Sequence, residues 1–121
     1  MSKKITILNC GVYPYDVLFC VGSTEKEVTS YLKNRCKYEL DDEEISFLQF
    51  KNRGGRTVRL RNGAIVLWVR SEYIPIVAHE VFHTVELVME KIKSPLNEQT
   101  SEPYAYFIEY LFKQTVIFLK K

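Results

Sequence analysis

The stretch IPIVAHEVFHTVELVMEKI, residues 74–92, decides the reading of this chain. Ile74, Val77, Ala78, Val81, Phe82, Val85, Val88, Met89 and Ile92 recur at i, i+3, i+4, i+7 spacing, the signature of a long helix with one face on a core. Pro75 suits the first turn, where an amide N–H has no partner to lose. Ser94-Pro95 ends the pattern. Beyond a polar loop, Thr100 and Ser101 are N-cap residues and Pro103 again fits a first turn. Tyr104, Phe107, Ile108, Leu111, Phe112, Thr115 and Leu119 then form a second helical stripe.

Upstream the periodicity changes. Ile5–Leu8 and Val17–Val21 read as strands, separated by Gly11–Asp16 with its Pro14. Thr24 with Glu27 three residues on makes a capping box, so a helix runs through Val28, Tyr31, Leu32 and Arg35 to about Lys37. An acidic loop, Asp41–Glu44, precedes a third strand at Ile45–Phe50. Arg53-Gly54-Gly55-Arg56 reads as a hairpin turn, Thr57–Arg61 as a fourth strand, Asn62-Gly63 as a tight turn, and Ala64–Val69 as a fifth strand. The expected architecture is α+β: one domain over 1–121, with a mostly antiparallel five-stranded sheet packed by helices.

Composition narrows the classes. The chain has 121 residues, 46% hydrophobic and 26% charged, an ordinary globular mixture. A formal net charge of +2 gives no general attraction to nucleic acid or acidic membranes. No apolar run approaches the ~18 residues a membrane span needs. The first ten residues carry two lysines, but Asn9 breaks a short apolar run, so they read as a strand and not as a signal peptide; the expected location is cytoplasmic. Cys10, Cys20 and Cys36 are odd in number and lack CxxC spacing, which points to free thiols and away from a cysteine metal site.

His79 and His83 are the only histidines, four apart on the first long helix. Side chains at i and i+4 lie on one face, so two imidazoles can reach one zinc ion at about 2.0–2.1 Å. Glu80 projects about 100° round the helix from His79. There it would not bind the same ion, but it could take a proton from a zinc-bound water as that water attacks a carbonyl. A catalytic zinc commonly has a third protein ligand, which here must be a carboxylate. Glu86, Glu90, Glu98, Glu102 and Glu109 are the candidates. Glu86 lies too far along the axis to share the ion and is placed instead to hold an imidazole N–H. An extended loop after Ser94 favours Glu102; a compact one brings Glu109 opposite His83.

His79-Glu80-Val81-Phe82-His83 followed by Glu102-Pro103-Tyr104-Ala105 resembles the gluzincin branch of the zincin metallopeptidases. The chain resembles, more loosely, small phage-encoded peptidases with HExxH near the C-terminus. The resemblance covers about residues 64–110. It implies a peptidase in a bacterial or phage-infected cell, with His79, His83 and Glu102 as zinc ligands and Glu80 as general base. Ala105 would be the small residue at the contact between the two helices. It further implies an extended peptide substrate along an edge strand, here residues 64–69; the alternative reading of that segment is a central strand. An oxyanion stabiliser is also expected. Tyr106, one turn after Glu102, is the first choice, ahead of Tyr104 and Arg70.

Two other classes are expected to compete. Lys51, Arg53, Arg56, Arg59 and Arg61 crowd the hairpin 51–61, a ribbon suited to phosphate backbones or to an acidic protein surface, though without the interleaved aromatics of a single-strand binder. The other is a zinc-stabilised structural or interaction module without turnover.

Overall fold

Two unbroken apolar runs form the centre of a sheet. Residues 17–21 and 65–69 are buried at every position but for small residual exposures, as expected of strands covered on both faces. The computed structural model describes residues 4–11, 13, 15–94 and 96–121. In chain order the elements are β1 (Lys4–Asn9), β2 (Asp16–Val21), α1 (Glu25–Asn34), α2 (Asp42–Phe47), β3 (Gly55–Arg59), β4 (Ile65–Val69), α3 (Ile74–Lys91) and α4 (Ser101–Leu119).

The sheet order is β1-β2-β4-β3. The central pair, β2 and β4, is parallel, from Val17 opposite Ile65 to Val21 opposite Val69. Both outer pairs are antiparallel. The α+β class is as expected, but the sheet is four-stranded and mixed rather than five-stranded and mostly antiparallel. The missing strand is Ile45–Phe50. Its first half belongs to α2, because Asp41 and Glu44 form a capping box. The Asp41 side chain accepts from the Glu44 N–H at 2.8 Å, and the Glu44 carboxylate accepts from the Asp41 N–H at 3.2 Å. Asp42, Glu43 and Glu44 place negative charge at the helix N-terminus, where its dipole favours it. Leu48 and Phe50, from the second half of that segment, are buried as the chain leaves α2.

Alternate residues of the central strands feed two cores. Val17, Phe19, Val21, Ile65, Leu67 and Val69 meet α3 and α4 on one face. Leu18, Cys20, Val66 and Trp68 meet Val28, Leu32, Leu48 and Phe50 on the other. Trp68 stacks on Phe50 at 4.2 Å, and its indole N–H donates to the Ser23 carbonyl at 2.7 Å.

The capping box at Thr24 and Glu27 is present, but α1 stops at Asn34, short of Lys37, which sits at φ +55°. The tight turn at Asn62-Gly63 is also present, with Gly63 at φ +94°. The other expected turn lies earlier: Arg53 N–H donates to the Phe50 carbonyl, Asn52 takes φ +62°, and Gly55 is already in β3. Helix α3 ends in a left-handed cap at Lys93, with the Ser94 N–H on the Met89 carbonyl at 2.8 Å. Pro95, with Pro14, lies outside the described residues. Cys10, Cys20 and Cys36 are free thiols. Among the described residues no helix is long and apolar enough to cross a membrane.

Candidate metal centre

Helix α3 lies over β3 and β4. Val77, Val81, Thr84, Val85 and Val88 point into the core, so the 3.6-residue repeat turns His79 and His83 outward, where both are exposed. Their Nε2 atoms face one another at 3.1 Å. Two nitrogens each ~2.05 Å from a tetrahedral zinc would stand about 3.3 Å apart. The pair therefore fits two ligand positions of one ion without rearranging the helix. His83 Nδ1 lies 2.8 Å from Glu86 Oε1. A carboxylate there accepts the Nδ1 proton, which leaves the Nε2 lone pair free for a metal. The place expected for Glu86 is the place it occupies.

The Glu80 side chain lies against β3 and is 6% exposed. The Thr57 hydroxyl lies 2.6 Å from Glu80 Oε1 and 3.3 Å from its backbone carbonyl, which also accepts from Thr84 at 2.9 Å. Thr57 belongs to β3. The strand can approach because Gly55 has no side chain: a Cβ there would sit 2.6 Å from Glu80 Cγ and 2.7 Å from Oε2. Gly55 and Thr57 are the site residues that sequence reasoning missed. The only signal was the second glycine of Gly54-Gly55, which suggested a turn and instead marks a close approach.

The partner helix does not complete the constellation. Among the described residues no group of three His, Cys, Asp or Glu side chains is placed to hold a metal. Glu102 and Glu109 are exposed on α4, and neither joins the histidine pair. Tyr106 shows why. It lines a groove with Cys10, Gly11, Tyr13, Phe107 and Tyr110, against the β1–β2 connection. Glu102, four residues earlier, shares that side of the helix. Tyr106 therefore does not face the pair as an oxyanion stabiliser would. Tyr104 is the α4 tyrosine turned to α3, its ring 6.2 Å from Phe82. Burial, then the charges of Glu86 and Glu90, push its phenol pKa up and keep it a hydrogen-bond donor. Arg70 is committed elsewhere, donating to the carbonyls of Arg53 and Phe50 at 2.6 Å each and lying over Trp68.

No protein-family model, curated protein or solved structure matches this chain. The reading of the site rests on its own geometry.

The sheet corrects one expectation. Strand β4 is internal, with β2 on one side and β3 on the other, so both its backbone edges are already paired and no peptide can add along residues 64–69. The two edge strands are β1 and β3, and the one beside Glu80 is β3. Arg70 N–H donates to the Gly54 carbonyl and Leu60 N–H to the Ala64 carbonyl. In an antiparallel ladder the hydrogen-bonding direction alternates. Even-numbered residues therefore face β4, and the amides of Gly55, Thr57 and Arg59 face outward. The basic hairpin is less continuous than its sequence: Arg61 pairs with Asp41 at 2.6 Å and Glu43 at 3.4 Å, and Arg56 Nε donates to the Phe47 carbonyl.

Proposed function

We propose that this chain is a zinc-dependent metallopeptidase of the gluzincin kind. The observation that carries the reading is the His79–His83 pair, with Nε2 atoms 3.1 Å apart and Nδ1 of His83 on Glu86. His79 and His83 would hold the ion. Glu102 is the proposed third ligand and Glu109 its competitor; either requires the first turns of α4 to rotate toward α3. When bound, zinc would lower the pKa of a coordinated water toward ~7 and polarise a carbonyl.

The chain's own residues supply the rest. The free edge of β3 can hold an extended peptide by backbone hydrogen bonds, beside Glu80. Thr57 fixes one oxygen of the Glu80 carboxylate, and the other lies over Gly55. That carboxylate takes the proton of the attacking water and returns it to the leaving amine.

Metal analysis of the purified protein tests this reading. About one zinc per chain is expected, lost in His83→Ala and retained in Glu80→Gln, which should abolish hydrolysis of an unfolded protein substrate. Wild-type protein that takes up no zinc refutes the proposal. If Glu109→Ala weakens zinc more than Glu102→Ala, the third ligand is reassigned. The competing reading, a zinc module without turnover, predicts that chelation unfolds the chain and that Glu80→Gln changes nothing else.

A further inference from the structure

We propose that the free edge of β3 receives an acidic extended peptide, with carboxylates at two positions three residues apart, opposite Arg56 and Arg59. The inference rests on the peptidase reading for the peptide being a substrate, but not for its binding.

The backbone provides the first half of the argument. Gly55, Thr57 and Arg59 present outward amides, and among the described residues β3 pairs only with β4. A strand added there would place its side chains beside those of β3, on both faces of the sheet. On the α3 face the neighbours are Thr57 and Arg59; on the other face, Arg56.

Charge provides the second half. Arg59 and Lys91 line one recess at the end of β3, and neither has a carboxylate within ion-pair distance among the described residues. The acids of that recess are already engaged. Glu43 pairs with Arg61, while Glu44 accepts from the Tyr38 hydroxyl and the Arg61 N–H. At the other end, Arg53 carries no ion pair among the described residues, and Arg56 Nε donates to the Phe47 carbonyl. Burial and then the nearby Arg53 charge hold the Arg56 guanidinium below its ordinary pKa, with Glu80 opposing. Cations flank both ends of an unpaired backbone edge, so a partner strand that supplies carboxylates is favoured over a neutral one. A nucleic-acid strand would use the charges but leave the outward amides of β3 unused.

The test uses the full-length protein and two labelled nonapeptides: a polythreonine sequence with glutamates three residues apart, and its glutamine counterpart. Fluorescence anisotropy at low salt should give roughly tenfold tighter binding of the glutamate peptide, from two or three opposite-charge pairs. Amide NMR shifts should fall on Gly55, Thr57 and Arg59. The exposed-site double variant Arg59→Glu with Lys91→Glu should remove the preference, and the milder Arg59→Gln should halve it if the double variant fails to fold. Equal binding of both peptides, shifts away from β3, or tighter binding of a thymidine oligonucleotide each overturn the inference. Cleavage separates the two proposals. If zinc-loaded protein cuts both peptides equally well, the acidic preference is wrong and the peptidase stands. If the glutamate peptide binds at β3 and is never cut, the inference stands and the peptidase falls.

Discussion

Gly55→Ala is the substitution whose outcome the structure specifies most closely. The residue is not among the glycines with positive φ, so an alanine suits the extended backbone. In isolation it would add about 0.5–1 kcal/mol of stability by restricting the unfolded chain. Its Cβ, however, would lie 2.6 Å from Glu80 Cγ, 2.7 Å from Oε2 and 2.9 Å from Cδ. Cγ cannot yield without turning the whole side chain. Overpacking costs about 1–3 kcal/mol, and turning Glu80 away forfeits the Thr57 hydrogen bond to a charged group, about 1.5 kcal/mol or more. The net expectation is a loss of about 2 kcal/mol, a fall in Tm of roughly 8 °C for a chain of this size. In a Glu80→Ala background neither penalty exists, and Gly55→Ala should be neutral or stabilising. The double-mutant cycle, measured by urea unfolding of chelator-treated protein, should therefore give a coupling of about 2–3 kcal/mol. Additivity within about 0.5 kcal/mol would refute the contact and the buried placement of Glu80.

Three further outcomes follow from the same coordinates. Glu86→Ala should weaken zinc binding about tenfold or more while leaving the ion's stoichiometry intact; unchanged affinity in a metal competition titration would mean that the Nδ1 contact does not orient His83. The carboxyl pKa of Asp41 is lowered, first by the Glu44 N–H and then by Arg61. That of Glu44 is lowered because the Tyr38 hydroxyl and the Arg61 and Asp41 N–H groups outweigh its burial. A carboxylate whose pKa falls on folding stabilises the native state above its unfolded value. The contribution should be complete above about pH 5 and lost as pH drops below 3.8–4.5 through the folded values. Glu44→Gln should flatten that acid limb in a denaturation series, and an unchanged limb would exclude the Asp41–Glu44 box as its source. With a thiol reagent at pH 8, Cys36 should react first. Burial pushes the Cys10 thiol to about 12 and Cys20 higher still, so rapid labelling of more than one thiol in folded protein would contradict the packing of β2.

Local chemistry in the sequence determined much of this protein. The apolar stripes mark α3 and α4, the capping box marks α1, and Asn62-Gly63 marks its hairpin, because helical periodicity, caps and tight turns depend on neighbours within four residues. The same short-range geometry put His79 and His83 on one face and Glu86 within reach of an imidazole. Residues 41–50 held two local signals, a capping box and a short apolar-rich segment, and only packing decided that the box wins as far as Phe47. Sheet order, and with it the place of β3 and not residues 64–69 at an edge, depends on contacts between segments far apart in the chain. So does the rotation of α4. An i, i+4 rule says that Glu102 and Tyr106 share a side, but only the packing of Tyr104, Phe107 and Leu111 against the core decides that the side faces away from the histidines. Gly55 belongs to the same class: nothing adjacent to it in the chain reveals that a buried carboxylate from another element lies where its side chain would be.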